Sequence, residues 1–208
     1  NAEASGEQSM AFGAGSKSSG SNATAMGTAA QSTGISASAY GAGADSAGEN
    51  SMSFGAASSA SNQNDLAFGT SAVTAGPNAS VFGTLGRATK GDATAIGFEA
   101  QARGVDATAI GKGAQATKLD AVALGSDAIA SGIGSTALGD NSIATGDYSV
   151  AIGHQAEAKR NNQIVLGRKE TGSKQAPDVT IPSLSHSGHQ SDNTTINELR
   201  FVTAQRDG

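Results

Sequence analysis

Along most of the chain one bulky apolar residue recurs every 14 positions, and a glycine always follows it. The bulky column is Phe12, Met26, Tyr40, Phe54, Phe68, Phe82, Ile96, Ile110, Leu124, Leu138, Ile152 and Leu166. The glycines are Gly13, Gly27, Gly41, Gly55, Gly69, Gly83, Gly97, Gly111, Gly125, Gly139, Gly153 and Gly167. Twelve copies in register, without insertion or deletion, make this a repeat protein, and a short fixed period points to a solenoid whose coils stack on one another.

The neighbouring columns show how one coil is built. Two positions before the glycine the residue is small, as at Ala25, Ala95 and Ala137, with Val81 and Val165 the largest. Three before, it is Met, Thr, Ser or a branched aliphatic, and four before it is small again except at Asp65 and Gln163. Successive side chains on a strand point to opposite faces, so this alternation predicts a five-residue strand with one small and one bulky face, both buried. After the glycine, Ala, Ser, Thr or Gly occupies the third and fifth positions, beside polar residues such as Glu99, Gln101, Arg103, Gln115, Asp127 and Glu157. That pattern predicts a second strand with one wet face.

Halfway through many repeats stands another glycine, at Gly6, Gly20, Gly34, Gly48, Gly76, Gly104, Gly132 and Gly146, where a chain reversal with positive φ is expected. Asn62, Lys90, Lys118 and Arg160 replace it elsewhere, so this turn is the less demanding one. Two short strands and two turns per coil give an all-β fold, a narrow parallel β-roll rising about 4.8 Å per coil to a rod of roughly 50 Å.

One roll has a single interior and cannot enclose both faces of the first strand. The remaining face forms an apolar strip along the whole rod, larger than a monomer tolerates, so self-association is expected. The small columns suit the roll interior and the bulky column suits contact with partner copies, although alternation alone fits either assignment. The bulky column is mostly aromatic up to Phe82 and aliphatic from Ile96, which predicts a change in packing along the rod. Tyr40 and Asp65 each need a polar partner or a wet strand end.

Composition narrows the function. The chain has 29 glycines among 208 residues and only six Phe and two Tyr, too few large side chains for an ordinary globular core. It has no cysteine, hence neither a disulfide framework nor a thiolate metal site. A net charge of -5 with acids and bases interspersed offers no phosphate-binding stripe, so nucleic acid is not an expected partner. No run of 18 apolar residues occurs, so no membrane contact is expected, and no export signal is visible. The sequence begins in mid-repeat and reads as a segment of a longer chain.

The rung Ser149-Val150-Ala151-Ile152-Gly153-x-x-Ala156-x-Ala158, with Asp106-Ala107-Thr108-Ala109-Ile110-Gly111 and Asp120-Ala121-Val122-Ala123-Leu124-Gly125, resembles the head repeats of YadA-like trimeric autotransporter adhesins. The resemblance covers residues 1–167. It implies a left-handed parallel β-roll assembled as a homotrimer, display on the bacterial cell surface from the outer membrane, and attachment to host extracellular-matrix proteins or the host cell surface. The early rungs, with Phe and Ser where the motif has Ile and Ala, depart most from it.

Beyond Gly167 the period stops. Residues 168–208 read as a cap or neck-type connector, with short strands at 179–181 and 200–203 around a polar loop, and no heptad pattern for a stalk. His186 and His189 lack the further ligands a zinc site needs, and His154 sits at a turn position without a Ser or Asp constellation. The glycine spacing lacks the strand-to-helix context of a phosphate cradle. Sequons at Asn22, Asn78 and Asn193 are cheap matches in a Ser- and Thr-rich chain. No catalytic, cofactor-binding or metal-binding residue is assigned, and no off-pattern carboxylate cluster points to an enzyme. The alternative is another repetitive-surface binder of ice or glycans, but the threonine array that ice binding needs is confined to Thr24, Thr94, Thr108 and Thr136.

Overall fold

The computed structural model describes residues 1–167; the expected cap at 168–208, with His186 and His189, lies outside the described residues. The chain winds into a parallel β-solenoid of twelve coils with two 12-stranded sheets. One sheet holds three-residue strands, from Met10–Phe12 to Ile164–Leu166, and the other two-residue strands, from Glu3–Ala4 to Glu157–Ala158. Every strand pairs with the one 14 residues on, so that Phe68 lies opposite Phe82, Ile96 opposite Ile110 and Gln101 opposite Gln115. No helix occurs among the described residues, and so none long and apolar enough to cross a membrane.

Backbone hydrogen bonds between coils hold the stack. Met10 N donates to Ala23 O at 2.9 Å and Gly27 N to Phe12 O at 2.8 Å, and the same bonds recur up the rod. Both turns close on themselves, as where Ser16 N donates to Gly13 O and Ala23 N to Gly20 O, each at 3.2 Å. The longer strand is three residues, not the five expected. Its limits are set by the turns, because the following glycine leaves the extended region and the fifth residue before that glycine is left-handed.

Eleven of the twelve ladder glycines have φ between 118° and 151°, a region L-residues avoid. They are also sites of close approach: a Cβ on Gly13 would lie 2.5 Å from Gly27 O. The mid-repeat glycines depart from expectation, since none has positive φ. The left-handed conformation falls two residues later, at Gln8, Asn22, Ser36, Asn50, Asn64, Asn78, Asp92, Asp106 and Asp120, with φ of 54–60°. Asn and Asp tolerate that region better than other side chains, which accounts for their abundance in this column. The mid-repeat glycine serves packing instead, because a Cβ on Gly20 would overlap the carbonyl of Gly34 in the next coil.

The interior is built of alanine. Among the described residues every fully buried hydrophobic residue is Ala except Val81, and those from Ala60 to Ala158 form one continuous cluster. Alanine loses no rotamer freedom on burial, so a thin coil can be filled at little entropic cost. Val81 fits because Gly86 stands across from it; a Cβ there would come within 2.6 Å of Val81 Cγ1. Buried serines in the column before each strand bond the turn carbonyl three residues back, as Ser51 Oγ does to Gly48 O at 2.7 Å and Ser142 Oγ to Gly139 O at 2.8 Å, whereas Ser18, Ser32 and Ser53 Oγ have no partner.

Candidate functional site

The longer-strand sheet turns its small columns inward and its bulky column outward. Ala25, Ala67, Ala95 and Ala123, two before the glycine, are fully buried. The bulky column lies on the opposite face, where Phe54, Phe68, Phe82, Ile96, Leu124, Leu138, Ile152 and Leu166 remain 37–47% exposed. Met26 is exposed as well, Tyr40 and Ile110 are half-buried, and Phe12 in the first coil is 74% exposed. Within one chain only the inner face is therefore covered, as a roll with a single interior requires.

In-register stacking of identical positions turns the column into a continuous surface. Tyr40 and Phe54 have ring centroids 5.7 Å apart, Phe54 and Phe68 4.5 Å with nearly parallel planes, and Phe68 and Phe82 6.1 Å. Beside it runs the column three before the glycine, exposed at Met10, Met52 and Ile164 and half-buried at Leu66, Val122 and Val150. The strand pleat sets these two columns about 6.6 Å apart on one face. Together they make an apolar strip along the whole sheet, far longer than the isolated patches of ordinary surfaces.

The structure adds residues that the sequence reading did not single out. Val105, Leu119 and Ile133 occupy one turn column in three successive coils, just before the longer strands, and all are exposed. Their signal, an aliphatic residue six before the glycine in three consecutive repeats, was present but lay outside the predicted strand. Another is the polar ladder in which Asn64 Nδ2 donates to Asn78 Oδ1 at 3.0 Å and Asn78 Nδ2 to Asp92 Oδ1 at 3.1 Å. It runs along the left-handed turn column.

Asp65 and Gln163, the two large polar residues in an otherwise small column, share one role. Asp65 Oδ2 accepts from Asn62 N at 2.9 Å and Oδ1 from Ala79 N at 3.1 Å. Gln163 Oε1 accepts from Lys159 N and Arg160 N, both at 3.0 Å. In both coils a side-chain-bearing residue, Asn62 or Arg160, replaces the mid-repeat glycine, and the polar residue three later caps its N–H. Asp65 is 1% exposed, and burial raises its pKa above the ordinary carboxylate value against the lowering effect of these bonds.

His154 Nδ1 lies 2.9 Å from an Asp140 carboxylate oxygen in the coil before, both side chains being exposed. Among the described residues, no group of three or more His, Asp or Glu is placed to hold a metal ion.

A stack of 14-residue coils, with glycine ladders at the turns and an outward apolar strip, defines a β-solenoid of the adhesin-head class. The model of the YadA head domain repeat matches residues 1–16, 18–44, 46–72, 60–85, 88–114, 102–128, 116–142, 130–156 and 144–162, and the chain belongs to that family. Among solved structures, the collagen-binding domain of the Yersinia adhesin YadA matches with 24% identity and a TM-score of 0.39, over 93% of this chain and 80% of that one. No curated protein matches the sequence. Family membership supports an adhesin-type, structural function at the cell surface.

Proposed function

We propose that the chain forms the head of a homotrimeric bacterial surface adhesin, with the column from Phe12 to Leu166 turned toward a common axis. The head attaches the cell to host extracellular-matrix proteins or the host cell surface through many weak, repeated contacts. The observation that carries this reading is the exposed apolar strip on the longer-strand sheet, present in every coil. Leaving it in water costs about 25 cal/mol per Å² of apolar surface, and pairing with identical strips removes that cost along the full rod.

Three rods side by side present each coil's outer features in triplicate, so a ligand contact too weak to hold alone gains strength from repetition. The left-handed winding implied by the family resemblance is part of this proposal. The test is a solution mass at micromolar concentration, run with a binding panel of collagens, laminin, fibronectin and epithelial cells. A trimeric mass with saturable binding to a panel member is expected. A monomeric mass overturns the assembly, and a trimer that binds no member overturns the host-attachment reading.

A further inference from the structure

The charge that composition shows as interspersed is gathered by the fold. Along the shorter-strand sheet and the mid-repeat turn that follows it, Arg87, Arg103, Lys90 and Lys118 fall within three successive coils, about 10 Å along the rod. All four are exposed. Arg87 stands in the column four after the glycine, followed in register by Gln101 and Gln115. Arg103 stands two residues further along, between Thr89 and Thr117.

Among the described residues the ion pairs are His154 with Asp140 and Lys159 with Glu157, so none of these four cations is paired. Across the three coils these outward columns hold no acid; Asp45 and Glu157 lie several coils away on either side. A chain with a net charge of -5 thus carries an unneutralised basic strip on one face. Asp92, Asp106 and Asp120 line the adjoining turn column and confine that strip to a narrow width.

We propose that this strip binds a sulfated polysaccharide. The inference rests on the trimer reading above, in which the longer-strand sheet meets the other copies and the shorter-strand face looks outward. Guanidinium and ammonium groups recognise sulfate by charge-assisted hydrogen bonds. Gln101 and Gln115 argue for a sugar over a nucleic acid: these half-buried amides stand in register in the middle of the strip and carry both donors and acceptors for sugar hydroxyls. Sugar hydroxyls are donors that satisfy such an acceptor, whereas the phosphodiester backbone of DNA has none to give. A duplex must also bring two backbones across a groove of about 6 to 12 Å, which carries the second one over the aspartate column.

The experiment uses the full 208-residue chain on immobilised heparin, desulfated heparin, neutral dextran and duplex DNA. Binding to heparin that weakens with rising salt is expected, with none to the desulfated or neutral polymers. The triple variant R87Q/R103Q/K118Q is expected to bind heparin roughly tenfold or more weakly. K17Q/K159Q, on the same face but in distant coils, should bind as the parent does. Circular dichroism and solution mass establish that each variant keeps its fold and assembly.

Heparin affinity unchanged in the triple variant, or no affinity in the parent, overturns the proposal; so does duplex DNA bound as tightly through the same charges. A trimer that ignores heparin sinks this inference alone. A monomer whose heparin binding still depends on the three cations upholds the strip and sinks the assembly reading.

Discussion

The six coils that carry the column from Phe12 to Phe82 and the six that carry it from Ile96 to Leu166 share one backbone but differ in both layers of side chains. Outside, the first set presents stacked rings from Tyr40 to Phe82, and the second presents Ile and Leu. Inside, the first set buries Ser16, Ser18, Ser32, Ser46, Ser51, Ser53, Ser58, Asp65 and Thr74 among its alanines, whereas the described residues of the second set bury no polar side chain but those of Ser135, Ser142 and Ser149. The difference separates what makes the solenoid from what decorates it. The ladder from Gly13 to Gly167 and the intercoil backbone bonds run through both halves. Side-chain content is free to vary wherever a small residue fills the interior.

The outer difference bears on assembly. A parallel, aligned set of copies places rings against rings and aliphatics against aliphatics, and any large slip mixes the two. Replacing Phe54 and Phe68 together with Asp should abolish the proposed trimer at micromolar concentration, since each substitution places charge in the strip that such an assembly would bury. Alanine at the same pair should lower the melting temperature more than alanine at Ile110 and Leu124. Phe buries about 150–250 Å² and gains further from ring contacts. Equal shifts in the two halves would show that the aromatic rungs add nothing to assembly.

At the boundary between the halves, Val81 and Gly86 test how tightly the thin interior is filled. Gly86→Ala drives a methyl into Val81 Cγ1, a stiff β-branched partner, and should cost about 1–3 kcal/mol. Val81→Ala in the same chain should restore most of that loss. A denaturation double-mutant cycle reads the coupling, and additive costs would mean that the two side chains do not share one space.

Much of this was legible in the sequence because a strict period makes each column its own control. The small and bulky faces of the first strand, and the fact that one roll leaves a face uncovered, follow from alternation around one invariant glycine; which face turns inward comes from the structure, with Ala95 buried and Ile96 exposed. What escaped depended on facts about turns. Gly20 and Gly34 look like sites of positive φ, yet the left-handed residues are Asn22 and Ser36, two further on. Glycine there avoids a clash with the next coil, a contact that exists only once coils stack. The basic strip escaped because Arg87, Arg103 and Lys118 sit at three different repeat positions, which converge only when folded.

Asp65 makes the stability of the serine-rich half depend on pH. Burial raises its folded-state pKa, so ionising it opposes folding. Its contribution to stability is greatest below the ordinary carboxylate range and is lost as pH rises through the raised value. Asp65→Ser, which mimics Ser51 in the same column, should gain relative to the parent as pH rises from acid to neutral. The measurement is chemical denaturation of both proteins across that range, and a difference that stays constant with pH would remove Asp65 from the account.

The finest comparison exchanges single hydroxyls between halves at one column. Ser53 and Ala109 both stand two before the ladder glycine and both are fully buried, but Ser53 Oγ has no hydrogen-bond partner. Ser53→Ala should stabilise the chain by about 1 kcal/mol, and Ala109→Ser should destabilise it by a similar amount, the cost of an unpaired buried hydroxyl. Ser51→Ala serves as the contrast, because Ser51 Oγ donates to Gly48 O and meets Ser46 Oγ at 2.7 Å, so its removal should weaken the fold. If Ser53→Ala and Ser51→Ala move the denaturation midpoint in the same direction, hydroxyl pairing is not what distinguishes the two interiors, and the serine-rich coils tolerate polarity for another reason.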